Sequence, residues 1–193
     1  MIEIKPYPNI IGIDLAGSAK RNTGFAYFYN NKINTGILHS DYEIINLAKG
    51  FDIIMIDAPL SIPKGRKDID DKNGPHFREC DIMLRKLRIR FFPITLGSMR
   101  ILTKRGISIK NELEKLNKTV FETFPGAVYD KFQVERKNKL QIIQIYKKLN
   151  LPLEDKKYEQ DELDAIACLI VGIFYYQNQA QILSGIDGTI VII

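Results

Sequence analysis

Two short apolar stretches of the sequence each end on an aspartate. Residues 9–14 read "NIIGID" and residues 51–57 read "FDIIMID". Continuous apolar runs of this length are typical of strands that are buried on both faces of a sheet. A carboxylate at the end of such a strand costs free energy unless it is paired or binds a metal. The two stretches therefore predict a buried sheet with acidic groups at one end of its strands.

The order of the other patterns predicts a single mixed α/β domain over residues 1–193. Two strands, "TGFAYFY" and "KINTGIL", follow the first at once, which predicts a three-strand meander. A short helix at "SDYEIINLAKG" leads to the fourth strand, and "KTVFETF" is a fifth strand that Pro125-Gly126 ends. We therefore expect a five-stranded mixed sheet with helices on both faces.

The C-terminal third of the chain predicts two helices and a final short strand. The helices are "KNKLQIIQIYKKL" and the longer, more apolar "QDELDAIACLIVGIFYYQNQA". The strand is "GTIVII". As an edge strand, it could pair with a second copy of the chain and form a homodimer.

Positive charge is concentrated in a segment that follows the fourth strand. Twelve basic and five acidic residues lie between positions 64 and 105. The whole chain has a net charge of +5, so the residues outside this segment are slightly acidic in sum. We expect a helical insert at about 63–118, with a polar loop followed by a basic helix at about 78–90. Such a segment suits an anionic partner, nucleic acid above all. The alternative is an arginine-rich helix that is merely solvated.

Cysteine content and hydropathy limit the compartment in which the chain works. Cys80 and Cys168 are far apart and outside any CxxC pattern, which disfavours a disulfide framework or a zinc site. The most apolar stretch, residues 165–176, is too short to span a bilayer. The N-terminal residues lack the pattern of a signal peptide. We therefore expect a cytoplasmic protein without a membrane partner.

Five carboxylates stand out as candidates for a metal site. Asp14 and Asp57 end strands, Glu122 lies within the fifth strand, and Asp161 and Asp164 lie three apart on one face of the late helix. Carboxylates brought side by side repel each other, and a divalent cation between them reverses that cost. Mg²⁺ or Mn²⁺ suits such hard oxygen ligands. Taken singly, each residue also fits a structural role: a turn, a helix cap or, for Glu122, an ion pair with an arginine.

The chain resembles the ribonuclease H-like superfamily and, more narrowly, a family of uncharacterised proteins described as predicted nucleases with that fold. The matching pieces cover most of the chain in the expected order: "GIDLAGSAKRNTGFA", "IDAPLSIP", "RECDIMLR", "ETFPGAVYDKF" and "DELDAIACLIVG". The resemblance implies Asp14, Asp57, Asp161 and Asp164 as metal ligands. It implies that Asp14, Asp57 and Asp164 are catalytic, with Glu122 as a fourth or auxiliary carboxylate.

Several basic residues are candidates for binding a nucleic-acid backbone. "RECDIMLR" places Arg78 and Arg85 on neighbouring helical turns. Arginine can bind phosphate oxygens in a bidentate manner. Alternatively, these side chains tie the insert to the acidic face of the core. The full candidate set is Arg78, Arg85, Arg88, Arg90, Lys20 and Arg21.

The function predicted from the sequence is a divalent-metal-dependent nuclease acting on DNA or RNA. One alternative is a non-catalytic member of the fold that binds nucleic acid or a protein partner. Another is a nucleotide-dependent phosphotransferase or ATPase, because "GIDLAGS" also resembles the first phosphate-binding turn of sugar kinases and actin-like proteins. That interpretation is weaker, since those proteins need two such domains. The sequence contains no GxxxxGK[ST] loop and no GxSxG motif.

Overall fold

A computed structural model describes residues 9–193 as one mixed sheet with helices packed against it. Residues 1–8, where we expect no signal peptide, lie outside the described residues. Within residues 9–193 the strands are β1 (Ile10–Asp14), β2 (Thr23–Tyr29), β3 (Lys32–Leu38), β4 (Ile53–Asp57), β5 (Thr119–Thr123), β6 (Gln181–Gly185) and β7 (Gly188–Ile192). The helices are α1 (Asp41–Ala48), α2 (Glu79–Lys86), α3 (Gly97–Lys115), α4 (Pro125–Lys131), α5 (Lys139–Lys148) and α6 (Gln160–Tyr176). No helix of the described part is long and apolar enough to cross a membrane.

The strands form a single seven-stranded sheet in the order β3-β2-β1-β4-β5-β7-β6. β1, β2 and β3 pair antiparallel in succession, as the predicted meander requires. β4 pairs parallel with β1 and with β5, and β5 pairs parallel with β7. The mixed α/β sheet predicted from the sequence is therefore confirmed, whereas its predicted size of five strands is wrong.

The last part of the chain accounts for the two extra strands. β6 and β7 form an antiparallel hairpin. β7 lies between β5 and β6, so "GTIVII" is an internal strand and the prediction that it forms an edge is wrong. The predicted helix through residue 180 is also too long, because α6 ends at Tyr176 and β6 begins five residues later.

Two further helical predictions differ from the structure. Pro125-Gly126 does end β5, but the same proline begins α4 as its first residue. Proline is well tolerated there, because the amide hydrogen it lacks has no partner within the helix. In the basic insert, the helix expected at about 78–90 is the shorter α2, and Arg88 beyond it has a positive φ of 61°. The helical pattern after residue 93 becomes α3.

Alternation along the strands divides the core between the two faces of the sheet. Ile10 and Met55 pack with the buried side of α6 on one face. Ile11 and Ile54 pack with α1 and α3 on the other face. Because Asp14 is four residues after Ile10 and Asp57 is two residues after Met55, both aspartates leave the sheet on the α6 face.

Glycines allow α6 to pack very close to β1 and β2. A Cβ atom on Gly12 would lie 2.3 Å from the carbonyl oxygen of Ala165 and 2.4 Å from the amide nitrogen of Leu169. A Cβ atom on Gly24 would lie 1.9 Å from the carbonyl oxygen of Asp161. The sheet therefore contacts the backbone of α6 directly, and this contact fixes the height of its acidic N-terminal turn above β1.

We expect Gly12→Ala to destabilise the protein by about 1–3 kcal/mol or more, because the added methyl group overlaps backbone atoms that cannot move independently. Chemical denaturation measures the loss. Gly97→Ala is the matched control, since a Cβ atom at Gly97, the first residue of α3, meets no atom within 4 Å. Equal stability of the two variants would contradict the close packing of α6 on β1.

Candidate carboxylate centre at the strand ends

The two strand-end aspartates lie side by side at the carboxyl ends of neighbouring parallel strands. Asp14 of β1 and Asp57 of β4 are paired in register. Both belong to the α6 face, so their side chains share one edge of the sheet. In open α/β sheets this edge, outside the carboxyl ends of the strands, is where ligands bind.

Helix α6 places two further aspartates over the same edge. Asp161 and Asp164 lie in its first turns, and their charges act on Asp14. Tyr129 of α4 donates a hydrogen bond to Asp164 Oδ1 at 2.5 Å, and Gln160 Nε2 donates another at 2.9 Å. These two bonds orient the Asp164 carboxylate, whose charge also acts on Asp57.

Burial and mutual repulsion raise the pKa values of this group. Burial raises the pKa of Asp14 well above its ordinary value, and the charges of Asp57, Asp164 and Asp161 raise it further. Burial raises the pKa of Asp57 in the same way, with Asp164 and Glu122 adding to it. Burial raises the pKa of Asp164 to about 6, although its two hydrogen bonds lower it. The cluster therefore concentrates negative charge that favours a cation.

The donor set matches a hard divalent cation in its chemistry. From residues 9–193, no hydrogen bond or ion pair reaches the carboxylate of Asp14 or Asp57. Half-buried carboxylates without partners are unfavourable, and oxygen-ligated Mg²⁺ or Mn²⁺ would offset their charge. As the side chains stand, no three acidic, histidine or cysteine groups of the described chain converge closely enough to hold an ion. Rotation of the aspartates would be needed to complete a coordination shell.

The loop after Asp14 is fastened from two sides. The amide of Ala16 donates to Thr23 Oγ1 at 3.1 Å, and Arg105 Nη1 donates to the Ala16 carbonyl at 2.6 Å. Arg105 also pairs with Asp41 at 2.7 Å, so it joins the loop to α1. Beyond this anchored part, Lys20 and Arg21 are exposed, and the Arg21 charge lowers the pKa of Asp14.

Glu122 occupies a different environment from the aspartates. It pairs with Ile56 in the β4–β5 register, so its side chain leaves the sheet on the face opposite Asp57. There it accepts two hydrogen bonds from Arg78, both at 2.6 Å, and one from the amide of Leu60 at 2.8 Å. Arg78 also pairs with Asp81 at 2.8 Å. The structure thus places Glu122 in a buried ion network, near Asp57 but not beside it.

The basic candidates fall into buried and exposed groups. Arg78 is 1% exposed and its guanidinium is paired with Glu122 and Asp81, so it is turned away from solvent. Arg85, Arg88 and Arg90 are exposed on and after α2. The Arg85 guanidinium lies 4.9 Å from the centroid of the Phe77 ring.

Sequence reasoning missed Arg136, the cation that acts on both Asp57 and Asp164. Its charge lowers the pKa of each of these aspartates. It pairs with Asp130 at 2.5 Å and donates to the carbonyl of Arg90 at 2.9 Å. The residue lies between α4 and α5, where no motif marks it. Tyr129 belongs to the matching piece "ETFPGAVYDKF", but nothing in the sequence pattern predicts its bond to Asp164.

The fold of the chain is similar to that of a solved structure. No protein-family model matches the chain, and no curated protein matches it. Among solved structures, the chain is similar to the RuvC of T. thermophilus in complex with a Holliday junction substrate. The identity is 9%, the match covers 88% of this chain and 96% of that chain, and the TM-score is 0.49. At this level the likeness does not identify a function for this chain.

Proposed function

We propose that the protein is a divalent-metal-dependent nuclease that hydrolyses phosphodiester bonds of DNA or RNA. The observation that carries the proposal is the register of Asp14 and Asp57 at the carboxyl ends of adjacent parallel strands, with α6 holding Asp164 above them. Three acidic groups from three elements, two of them without partners in residues 9–193, are costly for a purely structural role.

Each part of the centre has a distinct role in this proposal. Asp14, Asp57 and Asp164, together with Asp161, would hold Mg²⁺ or Mn²⁺. When bound, such a cation supplies charge stabilisation and activates water for phosphodiester hydrolysis. Tyr129 and Gln160 keep the Asp164 carboxylate oriented through their hydrogen bonds. Arg21 and Arg136 bring positive charge to the same edge, where it would help to hold a phosphate.

Exposed basic residues support a polyanionic substrate. Arg85, Arg88 and Arg90 lie in the segment 64–105, where basic residues outnumber acidic ones, and Lys20 lies in the loop after β1. Contacts to successive phosphates would make binding strongly salt-dependent. Glu122 contributes by fixing the end of β5 and the chain after β4, through Arg78 and the amide of Leu60.

We expect metal-dependent cleavage of at least one nucleic-acid form, abolished by EDTA. The assay uses end-labelled single-stranded and double-stranded DNA, RNA, an RNA–DNA hybrid and branched junctions, each with Mg²⁺, Mn²⁺ or EDTA. Metal should also raise the melting temperature, by the equivalent of about 2.7 kcal/mol when its concentration is 100 times Kd. This second readout detects the site independently of the choice of substrate.

The two readouts together decide between the alternatives. Metal stabilisation without cleavage of any form would favour a binding protein that retains the carboxylate centre. Neither stabilisation nor cleavage would contradict the proposal.

A further inference from the structure

A cavity of about 420 Å³ opens beside Asp57, at the carboxyl ends of β4 and β5. Its volume is in the range of pockets that enclose small organic groups. The walls come from the insert and from the start of α4, and they are mainly apolar. The side chains that form them include Phe91, Phe92, Phe124, Ile94, Met99 and Leu102.

The aromatic walls of this cavity suit a flat ligand. Phe92 belongs to the lining and is 69% exposed, so its ring is accessible from solvent. Phe91 is held by an edge-to-face contact with Phe77, with centroids 6.1 Å apart. The guanidinium of Arg136 lies 5.3 Å from the centroid of the Phe124 ring. Rings and a guanidinium plane are the groups on which unpaired bases stack.

The charged groups along the cavity narrow the choice of ligand. Arg78, Asp81 and Glu122 contribute to the wall, but Arg78 is already paired with both carboxylates, so these three residues offer no free positive charge to a ligand. Arg90 is exposed at the rim, and Arg136 also belongs to the lining. The ligand therefore needs a planar and largely apolar body, joined to an anion that can reach Arg136.

We propose that this cavity receives an unpaired nucleobase from the strand whose phosphodiester lies at Asp14 and Asp57. The inference rests on the proposed function and narrows its substrate class. Inside a duplex a base is stacked and paired, so it can enter a pocket only from a single strand, a loop or an extruded position. Nucleic acid that already contains unpaired nucleotides should then bind more tightly than uninterrupted duplex, from which a base must first be extruded.

The test removes one base at a time from a single-stranded oligonucleotide. Single strands of about 15 nucleotides, each with one abasic residue at a different position, are bound to the protein in EDTA and followed by fluorescence anisotropy. We expect one position at which loss of the base weakens binding roughly tenfold. Phe92→Ala should weaken binding of the intact strand similarly and remove the sensitivity to that position. The side chain is exposed, so the variant should fold. Tyr29→Ala, which removes a 62% exposed ring on β2, is the control and should change neither quantity.

Several results would overturn the assignment. Equal binding of all the abasic strands would do so, as would a position effect that persists in Phe92→Ala. Nucleoside monophosphates form a competition arm. If they displaced the strand with an affinity matching its own, in a Phe92-dependent way, the cavity would serve a free nucleotide instead.

The outcome is separable from that of the proposed function. Metal-dependent cleavage without a position effect would support the proposed nuclease and contradict the proposal of a base pocket. A position effect without cleavage would support the base pocket and contradict the proposed nuclease.

Discussion

Asp57→Asn is expected to reduce metal-dependent cleavage by at least 10²-fold, while it leaves the fold intact. Asparagine has the shape of aspartate but lacks its charge, and Asp57 lies in register with Asp14 where a shared cation would sit. Loss of several kcal/mol of charge stabilisation in the transition state corresponds to a rate loss of about 10²–10³-fold. Initial rates with the best substrate of the panel, at saturating Mg²⁺ or Mn²⁺, measure the effect.

The same substitution should stabilise the metal-free protein at neutral pH. Burial, followed by the charges of Asp164 and Glu122, raises the pKa of Asp57. A carboxyl whose pKa is raised on folding contributes its full stability below its unfolded pKa, and that contribution is lost as the pH rises through the folded pKa. An asparagine side chain cannot ionise, so the variant should melt higher than the wild type in EDTA, by about 2–4 °C for each kcal/mol of relieved repulsion. The gain should disappear in acid, and metal should no longer raise the melting temperature.

Asp52→Asn is the matched control for this variant. Asp52 immediately precedes β4, and its side chain is 74% exposed. The control substitution removes one negative charge from the same strand region without touching the centre, so cleavage and metal stabilisation should both match the wild type. If Asp57→Asn retained cleavage, or Asp52→Asn lost it to the same extent, the carboxylate centre would not be the active site.

The aspartates could be predicted from the sequence because strand geometry leaves little choice. An apolar run ending on Asp14 and another ending on Asp57 put both carboxylates at strand ends, and parallel pairing then sets them side by side. Their common face follows from two-residue alternation. The acidic start of α6 was equally visible. The position of this helix above β1 could not be predicted, because it depends on close packing at Gly12 and Gly24.

Side-chain contacts that form only through tertiary structure could not be predicted from the sequence. Arg78 stands 44 residues before Glu122, and the helix that it precedes, α2, packs against the β6–β7 hairpin. The hairpin was itself missed, because the predicted helix extends through the polar residues 177–179 to residue 180 and no strand is predicted between it and "GTIVII". The signal that could have revealed it is the Gly185–Gly188 segment "GIDG", which closes the hairpin around a two-residue loop. Asp187 of that loop accepts hydrogen bonds from the amides of Lys64 and Glu79.

Arg78→Met is expected to lower stability by about 3–5 kcal/mol, the largest loss among the substitutions considered. Arg78 is 1% exposed and pairs with two carboxylates, of which Glu122 is 6% exposed. Removing the cation leaves two buried negative charges without compensation, which is more costly than the pair was worth. The melting temperature should fall by about 2–4 °C for each kcal/mol of lost stability. Lys86→Met, on the exposed side of the same helix α2, should change stability by no more than about 0.5 kcal/mol.

A double substitution shows whether the loss of stability comes from the buried carboxylates that Arg78 no longer neutralises. Adding Glu122→Gln to Arg78→Met removes one of the two uncompensated carboxylates, so the double variant should be more stable than the sum of the single losses predicts. The single variant Glu122→Gln separates two roles for that residue. If Glu122 only fixes the chain ends beside the centre, stability and cleavage should fall together. If it acts on the substrate or on a metal, cleavage should fall far more than stability. Additive losses in the double variant would mean that Arg78 stabilises the fold by packing and not by neutralising Glu122.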